Sequence, residues 1–481
     1  MSGTLTLGRW IRDRARTSPD RAAIDFFEAE TTYAQLDARS DALATALHER
    51  GLRRGDRLAT LTGNSPEHVA LFFACAKAGV ILLPLSWRLA PAELRYQLED
   101  AEPALFLAEP EQAALAEATG HAFETELLPQ GQTPVMADVA NDDALLLVYT
   151  SGTTGRPKGA LLTHANCFWT NLSFDRIVGI GADDVVLQVL PQFHVGGWNV
   201  QPLLAWWKGA RVVLEREFDA ARALELIERK RVTTLMGVPA TYLFMTQAPG
   251  FDSADLSSLR TAVVGGAPMP VPLLETWQER GVAIAQGYGL TEAAPNVLCV
   301  PPEDAVRKAG CAGKPYPHVD VRLGAHGELQ VRGPNVFPGY WRNPEATTAA
   351  FEDGWLRTGD VAEVDEEGFV RIAGRLKDMY ISGGENVYPA EVESVLHEHP
   401  TVAEAAVVGV PDERWGEAGI AFVVVRRGAA ASGEELVGHC AERLERFKVP
   451  SRVVFLDELP RSGMDKVLKQ ELAALVAEVR A

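Results

Sequence analysis

Helix-like and strand-like segments alternate through the first three quarters of this chain. Apolar side chains recur at helical spacing over residues 36–50 and 66–78, whereas residues 57–62 and the β-branched run 80–85 are typical of strands. Strands that are separated by helices usually pair in parallel, because the helix carries the chain back across one face of the sheet. The alternation therefore predicts an α/β fold with a largely parallel sheet.

The pattern changes after about residue 333, where glycines separate short apolar runs. Asp365-Glu-Glu-Gly368 is a hairpin signal between two such runs. The elements predicted beyond it are a helix over 389–399, strands over 402–410 and 420–426, and a helix over 432–447. We predict a large N-terminal domain of mixed α/β subdomains at 1–376 and a smaller α+β C-terminal domain at 377–481.

The composition excludes several classes of protein and of partner. With 47% hydrophobic and 23% charged residues, the chain is an ordinary globular protein rather than a disordered or fibrous one. Its net charge of −19 repels phosphate backbones and anionic lipid, so nucleic acid and membrane surfaces are poor partners. The five cysteines include no C-x-x-C pair, which indicates reduced thiols in a cytoplasmic protein. Lys77 and Pro84 interrupt the most apolar stretch, so no transmembrane segment is expected.

One segment has the chemistry of a phosphate-binding loop. A buried apolar run, residues 145–149, leads into Thr150-Ser-Gly-Thr-Thr-Gly-Arg-Pro-Lys-Gly159. Glycines let backbone N–H groups converge on an anion, the hydroxyls add donors, and Lys158 adds a cation. Taken alone, the segment could equally be a plain polar turn, since neither a Walker A nor a G-x-G-x-x-G pattern is present.

The same loop resembles the signature of the adenylate-forming superfamily, which contains acyl-CoA synthetases, peptide-synthetase adenylation domains and luciferases. Further motifs follow in the family's order: Gly265-Gly-Ala-Pro268, Gln286-Gly-Tyr-Gly-Leu-Thr-Glu292, Trp355-Leu-Arg-Thr-Gly-Asp360, Gly374-Arg-Leu-Lys-Asp378 and the segment 460–466. The resemblance covers essentially the whole chain and is closest to the acyl-CoA synthetase branch.

The resemblance implies an ATP site with a magnesium ion. The residues assigned to ATP or AMP are Thr150, Ser151, Gly152, Thr153, Thr154, Gly155, Gly266, Ala267, Pro268, Gly287, Tyr288, Gly289, Asp360 and Arg375. The catalytic set is Lys158, Thr291, Glu292 and Lys466, and the metal ligands are Glu292 and Thr154. By the same resemblance Tyr288 stacks on adenine and Asp360 accepts the ribose hydroxyls. Activating a carboxylate with ATP requires this kind of set, because the triphosphate must be neutralised and the developing charge stabilised.

The smaller domain is expected to be mobile. In the family it rotates about a hinge, which corresponds to Lys377, between adenylation and thioester formation. Asp465 stands beside Lys466 where the family commonly has glycine, and an adjacent carboxylate would partly neutralise that lysine. The residues assigned to CoA are Gly383, Gly384, Phe447, Lys448 and Arg88.

The loop 191–199 resembles the family's loop at the acyl pocket. The predicted pocket residues are His194, Val195, Gly196, Trp198, Tyr242 and Gly265. These segments hold no charged side chain that could pair with a second carboxylate, so dicarboxylates such as malonate are disfavoured. An aryl acid or a short- to medium-chain aliphatic acid would fit the predicted apolar cavity.

The sequence thus predicts an ATP-dependent, AMP-forming carboxylate–CoA ligase with ATP, Mg²⁺ and CoA as cofactor and co-substrates. Two alternatives stay open: transfer of the acyl group to a separate carrier protein, and a non-catalytic protein that binds acyl-AMP. A homodimer is also compatible with the sequence.

Overall fold

The computed structural model describes residues 4–126, 137–150, 156–461 and 467–480. The chain divides into two compact units. The first comprises Met1–Met269, Thr276–Val321 and Val331–Leu356, and the second comprises Pro270–Glu275, Arg322–Gln330 and Arg357–Ala481. The domain limits predicted at 376 and 377 lie inside the second unit and stay a prediction.

A nine-stranded sheet forms part of the first unit. In spatial order its strands are Lys314–Pro315, Asn296–Cys299, Ile284–Gly289, Thr261–Val264, Thr234–Gly237, Val185–Gln188, Arg211–Leu214, Ala22–Phe26 and Ala29–Thr32. The strand pairs in the middle are parallel, and the pairs toward the two edges are antiparallel. The predicted α/β class with a largely parallel sheet is therefore confirmed.

A second sheet of six strands carries the predicted phosphate loop. In spatial order its strands are Gly339–Tyr340, Lys158–Thr163, Ala144–Thr150, Ile81–Pro84, Arg57–Leu61 and Leu105–Ala108. Ala144–Thr150 and Lys158–Thr163 are antiparallel, with Thr150 opposite Lys158. The segment that resembles the family signature begins at the end of one of these paired strands and ends at the start of the other, and its residues 151–155 lie outside the described residues.

Helices surround these strands, and local signals set several of their ends. The α-helices up to residue 350 are Gly8–Thr17, Tyr33–Glu49, Pro66–Ala78, Pro91–Ala101, Ala113–Ala118, His164–Asp175, Gly196–Asn199, Pro202–Lys208, Ala220–Lys230, Pro239–Gln247, Val271–Glu279 and Pro344–Ala350. Helix Pro66–Ala78 has the predicted bounds. The Ser65 hydroxyl accepts the backbone N–H of His68, and Gly79 ends the helix with a φ of 71°.

The remaining strands form two further sheets. One has the order Asp320–Leu323, Glu328–Arg332, Trp355–Val364 and Phe351–Glu352, with Val370–Arg375 also paired to Trp355–Val364. The other has the order Glu385–Val387, Tyr380–Ser382, Gly416–Val425 and Val402–Asp412, with Arg452–Phe455 also paired to Gly416–Val425. The predicted hairpin at Asp365–Gly368 is confirmed, since it joins Trp355–Val364 to its antiparallel partner.

The last helices are Pro389–His397, Gly433–Ala441 and Lys469–Arg480. The helix predicted over 432–447 is too long, because it ends at Ala441. Turns follow, and they let Leu444 and Phe447 pack against the core cluster around Leu436. Within the described residues, none of the helices has both the length and the apolar character that a membrane span needs.

Candidate active site

Two of the predicted catalytic residues, Lys158 and Glu292, contact the same tyrosine, Tyr340. Strand Lys158–Thr163 pairs with the two-residue strand Gly339–Tyr340. This pairing brings the Tyr340 ring beneath the Lys158 ammonium, with 5.3 Å from Nζ to the ring centre. The Tyr340 hydroxyl donates a hydrogen bond of 2.8 Å to Oε1 of Glu292. The phenol thus carries a cation on its face and a carboxylate on its hydroxyl.

Tyr340 was not among the residues predicted from the sequence. It lies 48 residues from Glu292 and pairs with a strand far from it in the chain, so no local pattern joins the two. Burial, together with the nearby Glu292 carboxylate, raises the pKa of Tyr340. The phenol therefore keeps its proton at neutral pH and remains a hydrogen-bond donor.

Glu292 lies in a turn that buried amides hold in place. It belongs to the 3₁₀ helix Thr291–Ala293, directly after strand Ile284–Gly289. Its carbonyl accepts the backbone N–H of Phe337 at 2.8 Å. The buried Asn335 side chain donates to the carbonyl of Ala293 at 2.9 Å. The backbone of this turn is consequently fixed, while the Glu292 side chain stays partly exposed.

The segment before Glu292 requires glycine at one position. A Cβ atom at Gly289 would lie 1.7 Å from the carbonyl oxygen of Pro295, so no other residue fits there. Gly287, Tyr288 and Thr291 are all partly exposed. Tyr288, which is predicted to stack on adenine, and the predicted catalytic residue Thr291 are thus accessible along one short stretch.

The next parallel strand ends in the second predicted nucleotide segment. Strand Thr261–Val264 pairs in parallel with Ile284–Gly289 and is followed by buried Gly265. Gly266, with a φ of 83°, and the two residues after it are exposed. Both segments therefore leave the carboxyl ends of neighbouring parallel strands, where ligands bind in open α/β sheets.

In the second unit, Asp360 and Arg375 are directly opposite each other on paired strands. Nε of Arg375 is 3.0 Å from Oδ1 of the buried Asp360. Glu328 braces the same strand, since its two oxygens accept from the Arg357 guanidinium at 2.9 Å and from the Gly359 backbone N–H at 3.0 Å. This unit thus holds the carboxylate that is predicted to bind the ribose hydroxyls and the cation that is predicted to lie near the nucleotide.

Comparison with known proteins decides the family. The sequence model described as AMP-binding enzyme matches residues 11–341, and the AMP-binding enzyme C-terminal domain matches residues 391–466. The chain belongs to the AMP-binding enzyme family. The family predicted from the sequence is thereby confirmed.

The relatives of this AMP-binding enzyme include ligases of aromatic acids. A feruloyl-CoA synthase of Amycolatopsis sp is 43% identical, with 97% of this chain and 98% of the relative covered. An indoleacetate–CoA ligase of Aromatoleum aromaticum is 42% identical, with 98% of each chain covered.

Solved structures agree with the fold. The ATP-bound MatB of Rhodopseudomonas palustris has a TM-score of 0.90 at 33% identity, with 100% of both chains covered. The o-succinylbenzoate CoA synthetase of Bacillus subtilis, in complex with its acyl-adenylate intermediate, has a TM-score of 0.85 at 34% identity, with 96% of this chain and 97% of that chain covered. The same synthetase has also been solved with ATP and a magnesium ion, at a TM-score of 0.85 and 34% identity over 96% of this chain and 98% of that chain.

The predicted acyl pocket of this AMP-binding enzyme departs from the sequence prediction at two aromatic residues. His194 is partly exposed, and its ring lies 4.8 Å from that of Phe193. Trp198 and Tyr242 have no exposed surface. Trp198 stacks on Phe72 at 4.6 Å, and the Tyr242 hydroxyl donates to a backbone carbonyl at 2.8 Å. The prediction that Trp198 and Tyr242 line the pocket is therefore corrected. Both residues belong to the packed core, where ring stacking and a hydrogen bond hold them.

Neutral, buried side chains hold the backbone of the acyl loop through hydrogen bonds. The Asn64 side chain accepts the backbone N–H of Gln192 at 2.8 Å and donates to the carbonyl of Leu190 at 3.0 Å. The carbonyl of Gln192 accepts Nε1–H of Trp198 at 2.6 Å, and its side-chain oxygen lies 3.2 Å from Nδ1 of His68. Burial lowers the pKa of His68 to about 4, so the imidazole is neutral at pH 7.

The residues predicted to bind CoA lie in three different settings. Gly383 and Gly384 form the two-residue turn of a hairpin, with φ values of 62° and 89°. Arg88 is exposed, and its guanidinium lies over Phe193 at 5.7 Å, beside the acyl loop. Phe447 packs against a hydrophobic core cluster, and Lys448 forms ion pairs. Their assignment to CoA stays a prediction.

Several predicted site residues lie outside the described residues: Ser151, Gly152, Thr153, Thr154, Gly155 and Lys466. Lys377, the predicted hinge, is exposed between strands Val370–Arg375 and Tyr380–Ser382. Its role as a hinge remains untested.

Glu292 suits the chemistry of a magnesium site. In the described part of the chain, no three His, Cys, Asp or Glu side chains converge on a common metal position. Magnesium commonly binds proteins through only one or two carboxylates and takes its other ligands from phosphates and water. A single, partly exposed carboxylate with Lys158 nearby therefore fits a magnesium ion that arrives with a nucleotide.

Proposed function

We propose that this AMP-binding enzyme activates an aromatic carboxylic acid with ATP and transfers the acyl group to CoA. The observation that carries the proposal is the identity of 43% to a feruloyl-CoA synthase and of 42% to an indoleacetate–CoA ligase, each over nearly the full length of the chain.

The reaction has two steps. An oxygen of the carboxylate attacks the α-phosphorus of ATP in line, and the bond from that phosphorus to the pyrophosphate oxygen breaks. The thiolate of CoA then attacks the acyl carbon, and AMP leaves. Lys158 stabilises negative charge on the phosphates, and Thr291 contacts the α-phosphate. Asp360 binds the ribose hydroxyls.

Magnesium neutralises the triphosphate when it is bound, and Glu292 and Thr154 would hold it. Lys466 contacts the acyl-adenylate as it forms. Lys158 and Lys466 thereby supply cations, and Thr291 supplies a hydrogen-bond donor, for the negative charge on the phosphates, as phosphoryl transfer demands.

We infer a cytoplasmic setting for this reaction. All five cysteines lie in the described part of the chain outside any disulfide, and four of them are buried, which suits a reducing compartment. Whether two copies of the chain associate remains an expectation that gel filtration with light scattering would test.

A pyrophosphate-release screen tests the function. The panel would contain ferulate, indole-3-acetate, 2-succinylbenzoate, benzoate, hexanoate, decanoate and malonate, each with and without CoA. We expect the aromatic acids to give the highest kcat/KM and CoA to give a thioester that mass spectrometry identifies. Efficient turnover of decanoate or malonate alone would contradict an aryl substrate.

The same assay separates the two alternatives. Activity with a phosphopantetheine-loaded carrier protein, and none with CoA, would indicate a carrier-protein ligase. Acyl-AMP binding without any pyrophosphate release would indicate a non-catalytic protein.

A further inference from the structure

Tyr340 is held more firmly than its partly exposed position requires. The backbone N–H of Tyr340 donates to Oγ1 of Thr347 at 2.9 Å, and Tyr340 is paired with Ala160 on the neighbouring strand. Its ring packs edge-on against Phe337, with 4.9 Å between the ring centres. The phenol hydroxyl therefore has a fixed position, and so does the hydrogen bond that it donates to Glu292.

A fixed donor on Oε1 restricts the directions in which the other oxygen of Glu292 can point. A glutamate without such a partner would sample several rotamers and would lose that freedom on binding a metal. Carboxylates that bind metals are commonly held by hydrogen bonds of this kind, and loss of the supporting partner costs about 10- to 100-fold in metal affinity.

We propose that Tyr340 is a positioning residue that orients the Glu292 carboxylate for the magnesium ion of MgATP. The inference rests on the proposed function, in which Glu292 is a magnesium ligand. The Lys158 ammonium lies over the same ring, so Tyr340 also contacts the residue that the proposed function places on the phosphates.

The experiment measures nucleotide binding rather than turnover. Calorimetry with α,β-methylene-ATP, repeated over a series of Mg²⁺ concentrations and in EDTA, gives the Mg²⁺ concentration for half-maximal enhancement of binding. In Tyr340→Phe we expect this concentration to rise by about 10- to 100-fold. The affinity in EDTA should change less than about threefold, since the ring and its contact with Lys158 remain.

Tyr149→Phe is the matched control. It removes a tyrosine hydroxyl that donates to another carboxylate, Oδ2 of Asp100, at 2.5 Å. We expect this variant to keep the wild-type Mg²⁺ dependence. An unchanged Mg²⁺ dependence in Tyr340→Phe, or an equal loss of affinity with and without Mg²⁺, would overturn the inference.

Glu292→Gln distinguishes the metal-binding role of Glu292 from the positioning role of Tyr340. If Glu292 is a ligand, this variant loses most of the Mg²⁺ dependence, and adding Tyr340→Phe to it has little further effect. Normal Mg²⁺ dependence in Glu292→Gln would remove the metal role of Glu292 and the inference with it. The choice of acid substrate does not enter this assay, so an incorrect aryl assignment would leave the result intact.

Discussion

The nucleotide cluster and the acyl loop are held by opposite kinds of interaction. The nucleotide cluster, which consists of Lys158, Tyr340 and Glu292, joins charged and partly exposed groups. The acyl loop is anchored by neutral and buried groups, above all Gln192 and Trp198. Charge that stays accessible can act on a ligand, whereas buried neutral anchors fix a shape. We therefore expect substitutions in the cluster to change catalysis and substitutions in the anchors to change stability.

Trp198→Ala should give the largest effect on stability. The side chain is fully buried, stacks on Phe72 and donates a hydrogen bond to Gln192. Removing a buried tryptophan costs about 3–5 kcal/mol of unfolding free energy, which urea denaturation measures. Trp198→Phe keeps the stack and loses the hydrogen bond, so its cost should be about 1–3 kcal/mol. A stable Trp198→Ala variant with altered acid preference would return this residue to the pocket wall.

Lys158→Ala should instead impair catalysis and leave stability nearly unchanged. We expect adenylation to slow by about 100-fold or more, which corresponds to roughly 3 kcal/mol of lost charge stabilisation in the transition state. Because Lys158 is partly exposed, the shift in Tm should be small. Pyrophosphate release in a single turnover and thermal melting test the two parts. A large fall in Tm with a normal adenylation rate would contradict the division between the two regions.

The comparison also shows what the sequence could and could not predict. Helix Pro66–Ala78 was predictable because its signals, Ser65, Pro66 and Gly79, are adjacent in the chain. Lys158 and Glu292 stand in motifs that can be read locally. Tyr340 could not be found in this way, because its role depends on a strand pairing between distant segments.

The prediction that Trp198 and Tyr242 line the acyl pocket was wrong for a related reason. A tryptophan next to two glycines in a loop is equally compatible with a pocket wall and with a core position. Only the packing of Trp198 against Phe72, 126 positions earlier in the chain, decides between the two. Sequence patterns therefore predicted the family correctly, whereas they did not predict the burial of Trp198 and Tyr242.

His68 should make the stability of the acyl-loop anchors depend on pH. Burial lowers its pKa from 6.5 to about 4, so the unfolded chain binds a proton at a pH where the folded chain does not. The contribution of neutral His68 is therefore present above pH 6.5 and is lost as the pH falls toward 4, by about 1.4 kcal/mol per pH unit.

A comparison of His68→Gln with the wild type isolates this contribution. Buried His164 has a similarly lowered pKa of about 4 and stays in both proteins, so its effect cancels in the difference. The stability lost between pH 6.5 and pH 4.5 should be smaller in the variant. Identical losses in both proteins would show that His68 keeps an ordinary pKa.

Lys448 provides the smallest expected effect and extends the comparison to the second unit. Although burial opposes it, hydrogen bonds with Glu391 and Glu445 raise the pKa of Lys448. Nζ lies 2.8 Å from Glu391 and 2.7 Å from Glu445, so the charge is already compensated. Because the two glutamates already compensate this charge, we expect Lys448→Met to leave adenylation unchanged and to raise the KM for CoA by less than about threefold, a result that would count against the predicted assignment of Lys448 to CoA. Glu445→Gln is the control, because it frees part of the lysine's charge and should lower the KM for CoA if the nucleotide end of CoA reaches this segment. A tenfold rise in the KM for CoA in Lys448→Met would mean that the lysine exchanges its glutamate partners for the phosphates of CoA, and the segment would then belong with the nucleotide cluster.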